Sequence, residues 1–254
     1  MRSTYTPPSN SDFMLDVPLG NVPGVSSVNK FGRNPTVASG STEDIWDGSA
    51  IYSWPATALM TSISQTTDQA AMRGATIEIQ GLNASWVQVT QNAVLDATLT
   101  TNVVTLDPAL IRCFRMKVLA DVVSTSPIRV HNAGETQDYA IISTGNNQTL
   151  MALWTVPASK VALMTSYYAT VNPGGGAPTS LNVRLWARDN ANSYERQLKH
   201  ILGAAGDVDA YGRFQHNFAP YYKFTEKTDI YLDGTTTGAG VDVSAGFDLI
   251  VTGA

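Results

Sequence analysis

Charge is scarce in this chain of 254 residues: Asp, Glu, Lys and Arg together make up 15% of it, against about a quarter in an ordinary globular protein. Ser, Thr, Asn and Gln take its place, which suits strands with one wet face and a surface that meets other proteins at little electrostatic cost. The net charge of −5 argues against a general nucleic-acid binder, which needs a basic face to displace counterions from a phosphate backbone. Cysteine occurs once, at Cys113, which rules out an intrachain disulfide framework and a cysteine-based zinc site. Between Arg112 and Phe114, in an apolar run, it reads as a small buried hydrophobe. No window approaches the roughly 20 apolar residues of a membrane span. The opening residues, Met1-Arg2-Ser3-Thr4-Tyr5, lack the apolar core of a signal peptide, which predicts a protein made and kept in the cytoplasm until it is used.

Recognisable chemistry is equally thin. His131, His200 and His216 are too few and too scattered for a metal cage, and His216, on one strand face with Phe214 and Phe218, reads as a packed or interface histidine. No Gly-x-Ser-x-Gly elbow, Walker loop or His-Glu-x-x-His occurs. The run NPGGGAP at 172–178 lacks the Lys-Ser/Thr of a phosphate loop and reads as a flexible hairpin. Two acids suffice for a glycosidase, but Asp207, Asp209, Asp229 and Asp233 stand beside turn-forming residues, where Asp is favoured for local hydrogen bonds. They also show no calcium ligand ladder. The sequence predicts no catalytic residue, cofactor or metal.

What the chain has is alternation of period two. Ile77 and Ile79 alternate with Thr76, Glu78 and Gln80; Phe114, Met116 and Val118 with Arg115 and Lys117; Leu181, Val183 and Leu185 with Asn182 and Arg184. These are half-buried strands. In YERQLKHILG, Tyr194, Leu198, Ile201 and Leu202 fall at helical spacing, but a strand is favoured by analogy with the strand pair expected over 86–95. Residues 67–72 could form one helical turn, and the Pro-interrupted leader, 1–24, reads as irregular.

An internal repeat organises the chain. Residues 51–57 (IYSWPAT) align with 153–159 (LWTVPAS), and ALMTS at 58–62 aligns with ALMTS at 162–166. Two tandem copies of one β-sandwich would show this pattern. The predicted fold is all-β: an extended N-terminal arm over 1–47, then two mutually similar, jelly-roll-like antiparallel sandwiches over 48–148 and 149–254.

The stretch NKFGRNP (29–35), a short Ser/Thr/Gly spacer, EDIWDG (43–48) and IYSWP (51–55) resembles the N-terminal signature of a virion structural protein family of tailed, often marine, bacteriophages. Later runs are similar to the same family, including IEIQGLNASWVQVTQNAVLD, ALWTVPASKVALMTSYYATV and VSAGFDLIVTG. The resemblance implies a non-enzymatic particle component, with capsid decoration or cement as the leading role and a tail, collar or baseplate part as the first alternative. A carbohydrate-binding receptor protein is the alternative from another class. The implied partners are the major capsid protein or tail and neck proteins and further copies of the chain, a trimer above other states, with no direct nucleic acid and no membrane; the implied location is the virion. The residues expected to make subunit contacts are Phe13, Leu15, Lys30, Phe31, Arg33, Glu43, Asp44, Trp46 and Asp47 in the arm, with Tyr167, Tyr221 and Tyr222 in the second half. Trp46 is expected to anchor the arm on a neighbour.

Overall fold

A computed structural model describes residues 12–254 apart from 68, 96–102, 174–179, 194 and 206–212. The hairpin expected over 172–178 falls largely outside the described residues, as do Tyr194, Asp207 and Asp209. The chain is almost entirely strand: β1 (Val25–Val37), β2 (Thr42–Asp44), β3 (Met60–Gln65), β4 (Thr76–Asn83), β5 (Gln88–Val94), β6 (Val104–Val118), β7 (Ile128–His131), β8 (Asp138–Ile142), β9 (Leu153–Thr155), β10 (Lys160–Pro173), β11 (Ser180–Asp189), β12 (Gln197–Ala205), β13 (Arg213–Phe224), β14 (Thr228–Thr237) and β15 (Val241–Gly253). The helical spacing in YERQLKHILG is thus overridden by β12. Part of the leader is a single helical turn, α1 (Phe13–Asp16), where an irregular chain was expected; the Asp12 side chain caps it by accepting from the Met14 amide at 2.9 Å. A 3₁₀ turn occupies Ala70–Met72.

Strands β3 to β8 form one curled antiparallel sheet in the order β5-β4-β6-β3-β7-β8. The second unit is a sandwich of a four-stranded sheet, β1-β15-β10-β13, and a five-stranded sheet, β12-β11-β14-β2, in which β9 also pairs with β14. Alternation explains the halves: Leu181, Val183, Leu185 and Ala187 of β11 turn into the sandwich, and Ile77 and Ile79 of β4 into the curled sheet. β14 is buried on both faces over most of its length, since Ile230 and Leu232 fill the sandwich while Tyr231 joins the core of the first unit.

The pairing schemes of the two halves correspond. β3 pairs with the start of β6 and with β7, as β10 pairs with β13 and β15; β4 pairs with β5 and the later part of β6, as β11 pairs with β12 and β14. The aligned ALMTS runs also share a register slip. It lies between Met60 and Ser62 against β6, and between Met164 and Ser166 against both neighbours of β10, each preceded by a fully buried methionine.

The expected arm is corrected by β1 and β2. From Val25↔Thr252 to Val37↔Val241, β1 is an antiparallel edge partner of β15, and β2 pairs with β14. Residues 25–44 therefore complete the second sandwich and are not a free extension. Alternation hid this strand because its inward positions are Lys30, Gly32 and Asn34, polar or small residues whose burial depends on particular partners.

Candidate functional site

The signature residues gather where the two units meet. Lys30 is buried, and its ammonium donates to the Phe114 carbonyl on β6. Burial, with help from Arg115, pushes its pKa down to about 7. At Gly32 any Cβ would lie 2.3 Å from the Ala152 amide nitrogen and 2.5 Å from the Ile45 carbonyl oxygen, so only glycine lets the strand pass. Asn34, fully buried, donates to Glu43 Oε2 at 2.9 Å and to the Asp44 carbonyl at 3.3 Å, and Glu43 Oε1 accepts from the Ala38 amide at 3.2 Å. The Asn-Pro and Glu-Asp of the signature thus tie β1 to β2.

Trp46 packs edge-on to Tyr52 (5.1 Å between centroids), Tyr52 to Trp54 (4.7 Å), and Trp54 lies 5.3 Å from Tyr231 of β14. The Trp46 indole N–H donates to the Ala50 carbonyl at 2.9 Å. Gly48 is needed beneath that indole, since a Cβ there would meet the ring at 2.1 Å. Asp44 accepts from the Tyr52 amide at 2.7 Å, and burial raises its carboxyl to about 7.

Between the units, Arg112 of β6 forms a bidentate ion pair with Asp229 of β14, at 2.8 and 3.0 Å, with both side chains almost wholly buried. The guanidinium lies between the rings of Trp54 (5.1 Å) and Trp86 (4.9 Å) and donates to the Pro55 and Ile111 carbonyls. Asp229 also accepts from Thr155 Oγ1 at 2.6 Å and Asn190 Nδ2 at 2.8 Å. A second pair, Arg184–Asp233, lies on the same face of the sandwich at 2.7 Å. These aspartates sit within β14, buried and paired, which corrects their reading as turn residues.

Beside this network a cleft of about 480 Å³ is lined by Tyr52, Trp54 and Tyr231 together with Arg188 of β11 and Glu195 and Arg196 of the β11–β12 connection. A separate cluster lies on the facing strands β12 and β13. There the rings of His200 and His216 stack at 4.0 Å, and the Tyr167 hydroxyl meets His200 Nδ1 at 2.5 Å.

No family model and no curated protein matches the sequence. Among solved structures, a likeness is found to the structure of infectious bursal disease virus Gx strain, at 11% identity and a TM-score of 0.23, spanning 95% of this chain and 76% of that one.

Of the residues expected to face a neighbour, Lys30, Asp44, Trp46 and Tyr167 are instead interior. Trp46 is a core residue of the first unit, so EDIWDG belongs to the fold and is not an anchor. Phe31, Glu43, Asp47 and Tyr222 are half-buried, and burial raises Asp47 to about 6. Arg33 is exposed but paired with Asp242 at 2.5 Å. Phe13, Leu15 and Tyr221 remain open on the surface. Sequence reading missed Arg112 and Trp86 and set Asp229 aside as a turn residue; for the two charges the available signal was their place inside an apolar strand, as in ALIRCF and TDIYL. Cys113 is buried as expected, its thiol pushed up to about 12 by desolvation.

Proposed function

We propose that this protein is a non-enzymatic structural component of a tailed-phage virion, serving as a capsid decoration or cement protein. The observation that supports the reading is the use made of the signature residues. Lys30, Gly32, Asn34, Asp44, Trp46, Tyr52 and Trp54 are all committed to joining β1, β2 and the two units into one body. A part that carries load between neighbours needs such rigidity, because a hinge between its units would absorb strain instead of passing it on.

Contacts outward are available on both units. Phe13, Met14, Leu15 and Leu19 stand exposed around α1, Leu119 and Val123 follow β6, and Leu198, Ile201 and Tyr221 lie on β12 and β13. Surrounded by sparse charge, they can be buried against the major capsid protein, tail or neck proteins, or further copies of the chain in a trimer. Binding only to the assembled state stabilises it by mass action. Mass spectrometry and a density map of purified particles test the reading, beside the heat resistance of particles lacking the protein. Regular copies on the shell and earlier heat release of the genome are expected. Its absence from particles overturns the virion role; copies confined to the tail or collar replace decoration by a tail role.

A further inference from the structure

Two further arginines at the junction form no direct ion pair among the described residues. Arg112 and Arg184 each hold a carboxylate there, at 2.8 and 2.7 Å. Arg188 and Arg196, by contrast, line the cleft with no carboxylate within ion-pair distance among the described residues. Arg196 is held in place by its guanidinium lying 4.6 Å over the Trp186 ring. Two guanidinium groups without a direct ion pair in one concave site, which they share with Asp44 and Glu195, can receive an anion, and the planar fork fits a carboxylate.

The same cleft carries aromatic surface. Trp54 is half-buried, with one face covered by Arg112, and Tyr52 and Tyr231 extend the aromatic surface behind it. Asp44 and Glu195 supply oxygens, and one oxygen of Asp44 is already occupied by the Tyr52 amide at 2.7 Å. Aromatic surface beside hydrogen-bonding side chains fits a flat polyol with one apolar C–H face. An apolar ligand would leave the polar lining unpaired, and a neutral sugar would leave both arginines unused.

We propose that this cleft binds an acidic saccharide, with the sugar carboxylate on Arg188 and Arg196, the ring against Trp54, and hydroxyls donating to Asp44 and Glu195. Burial raises the Asp44 carboxyl to about 7, so its negative charge next to the incoming anion is only partial at neutral pH and fades as pH falls below that. The inference goes beyond the particle role and does not depend on it.

The test is calorimetric titration of the full-length protein with trigalacturonate and with sialyllactose, each beside its neutral counterpart, maltotriose and lactose. At least one acidic sugar should bind saturably, and about tenfold or more tighter than its counterpart. Arg188→Ala and Arg196→Ala should each weaken that binding about tenfold, as expected for loss of a charge-assisted hydrogen bond. An unchanged thermal midpoint for either variant shows that the loss is local. Failure of both acidic sugars to bind, equal binding of the neutral ones, or affinity indifferent to both substitutions overturns the proposal. Any of these results leaves the virion reading untouched, because that is tested on particles.

Discussion

Arg112 and Asp229, 117 positions apart in sequence, meet through two charge-assisted hydrogen bonds at the buried seam between the curled sheet and the sandwich. Every polar atom that desolvation would otherwise penalise has a named partner: Asp229 accepts from Thr155 and Asn190, and Arg112 donates to two carbonyls. Removing one partner strands a buried charge. Arg112→Ala and Asp229→Ala should each cost about 3–5 kcal/mol in denaturant unfolding, while Arg112→Met with Asp229→Leu should recover a large part of the loss. Additive losses in the double variant would show that the two side chains do not act as a pair.

Trp46→Ala should act on stability and not on docking. The indole is buried against Tyr52, and its loss should cost about 3–5 kcal/mol in the free protein. An unfolding midpoint equal to that of the parent would return Trp46 to the role of an anchor on a neighbour.

Stability should pass through a minimum near neutral pH from two buried groups. Asp44 titrates near 7 in the fold against 3.8 in its ordinary state, so the native chain binds more protons between those values and stability falls as pH rises through that window. Lys30 titrates near 7 in the fold against 10.5, so the unfolded chain binds more protons between them and stability rises with pH there. Thermal midpoints across this range check both: Asp44→Asn should flatten the acid limb and Lys30→Met the alkaline limb.

The stacked histidines give a separate acid response. Burial and the neighbouring His216 hold His200 below the usual 6.5, so its contribution is complete above that value and is lost as pH falls through the lowered one. His200→Phe, which keeps a ring against His216, should reduce the loss of stability as pH falls below 6.5. Native-state hydrogen exchange along β12 and β13 should localise the opening; exchange that quickens elsewhere but not in these strands would rule out the pair as its source.

The sequence alone determined the strands with one apolar face. Ile77 and Ile79, or Leu181, Val183 and Leu185, alternate as only a strand can turn them to one face, and the aligned ALMTS runs marked the two strands, β3 and β10, that share a register slip. Residues 25–44 were not legible, because Lys30, Gly32 and Asn34 carry no hydrophobic period. Their burial is made favourable by the Phe114 carbonyl, by the close pass at Ala152 and by Glu43, none of which alternation reveals. Arg112 and Asp229 were equally opaque, since a charge inside a strand is as compatible with a wet edge as with a buried pair until its partner is known. The tertiary structure decided these positions because desolvation makes a polar group's cost depend on which atoms face it, and those atoms come from strands far apart in the chain.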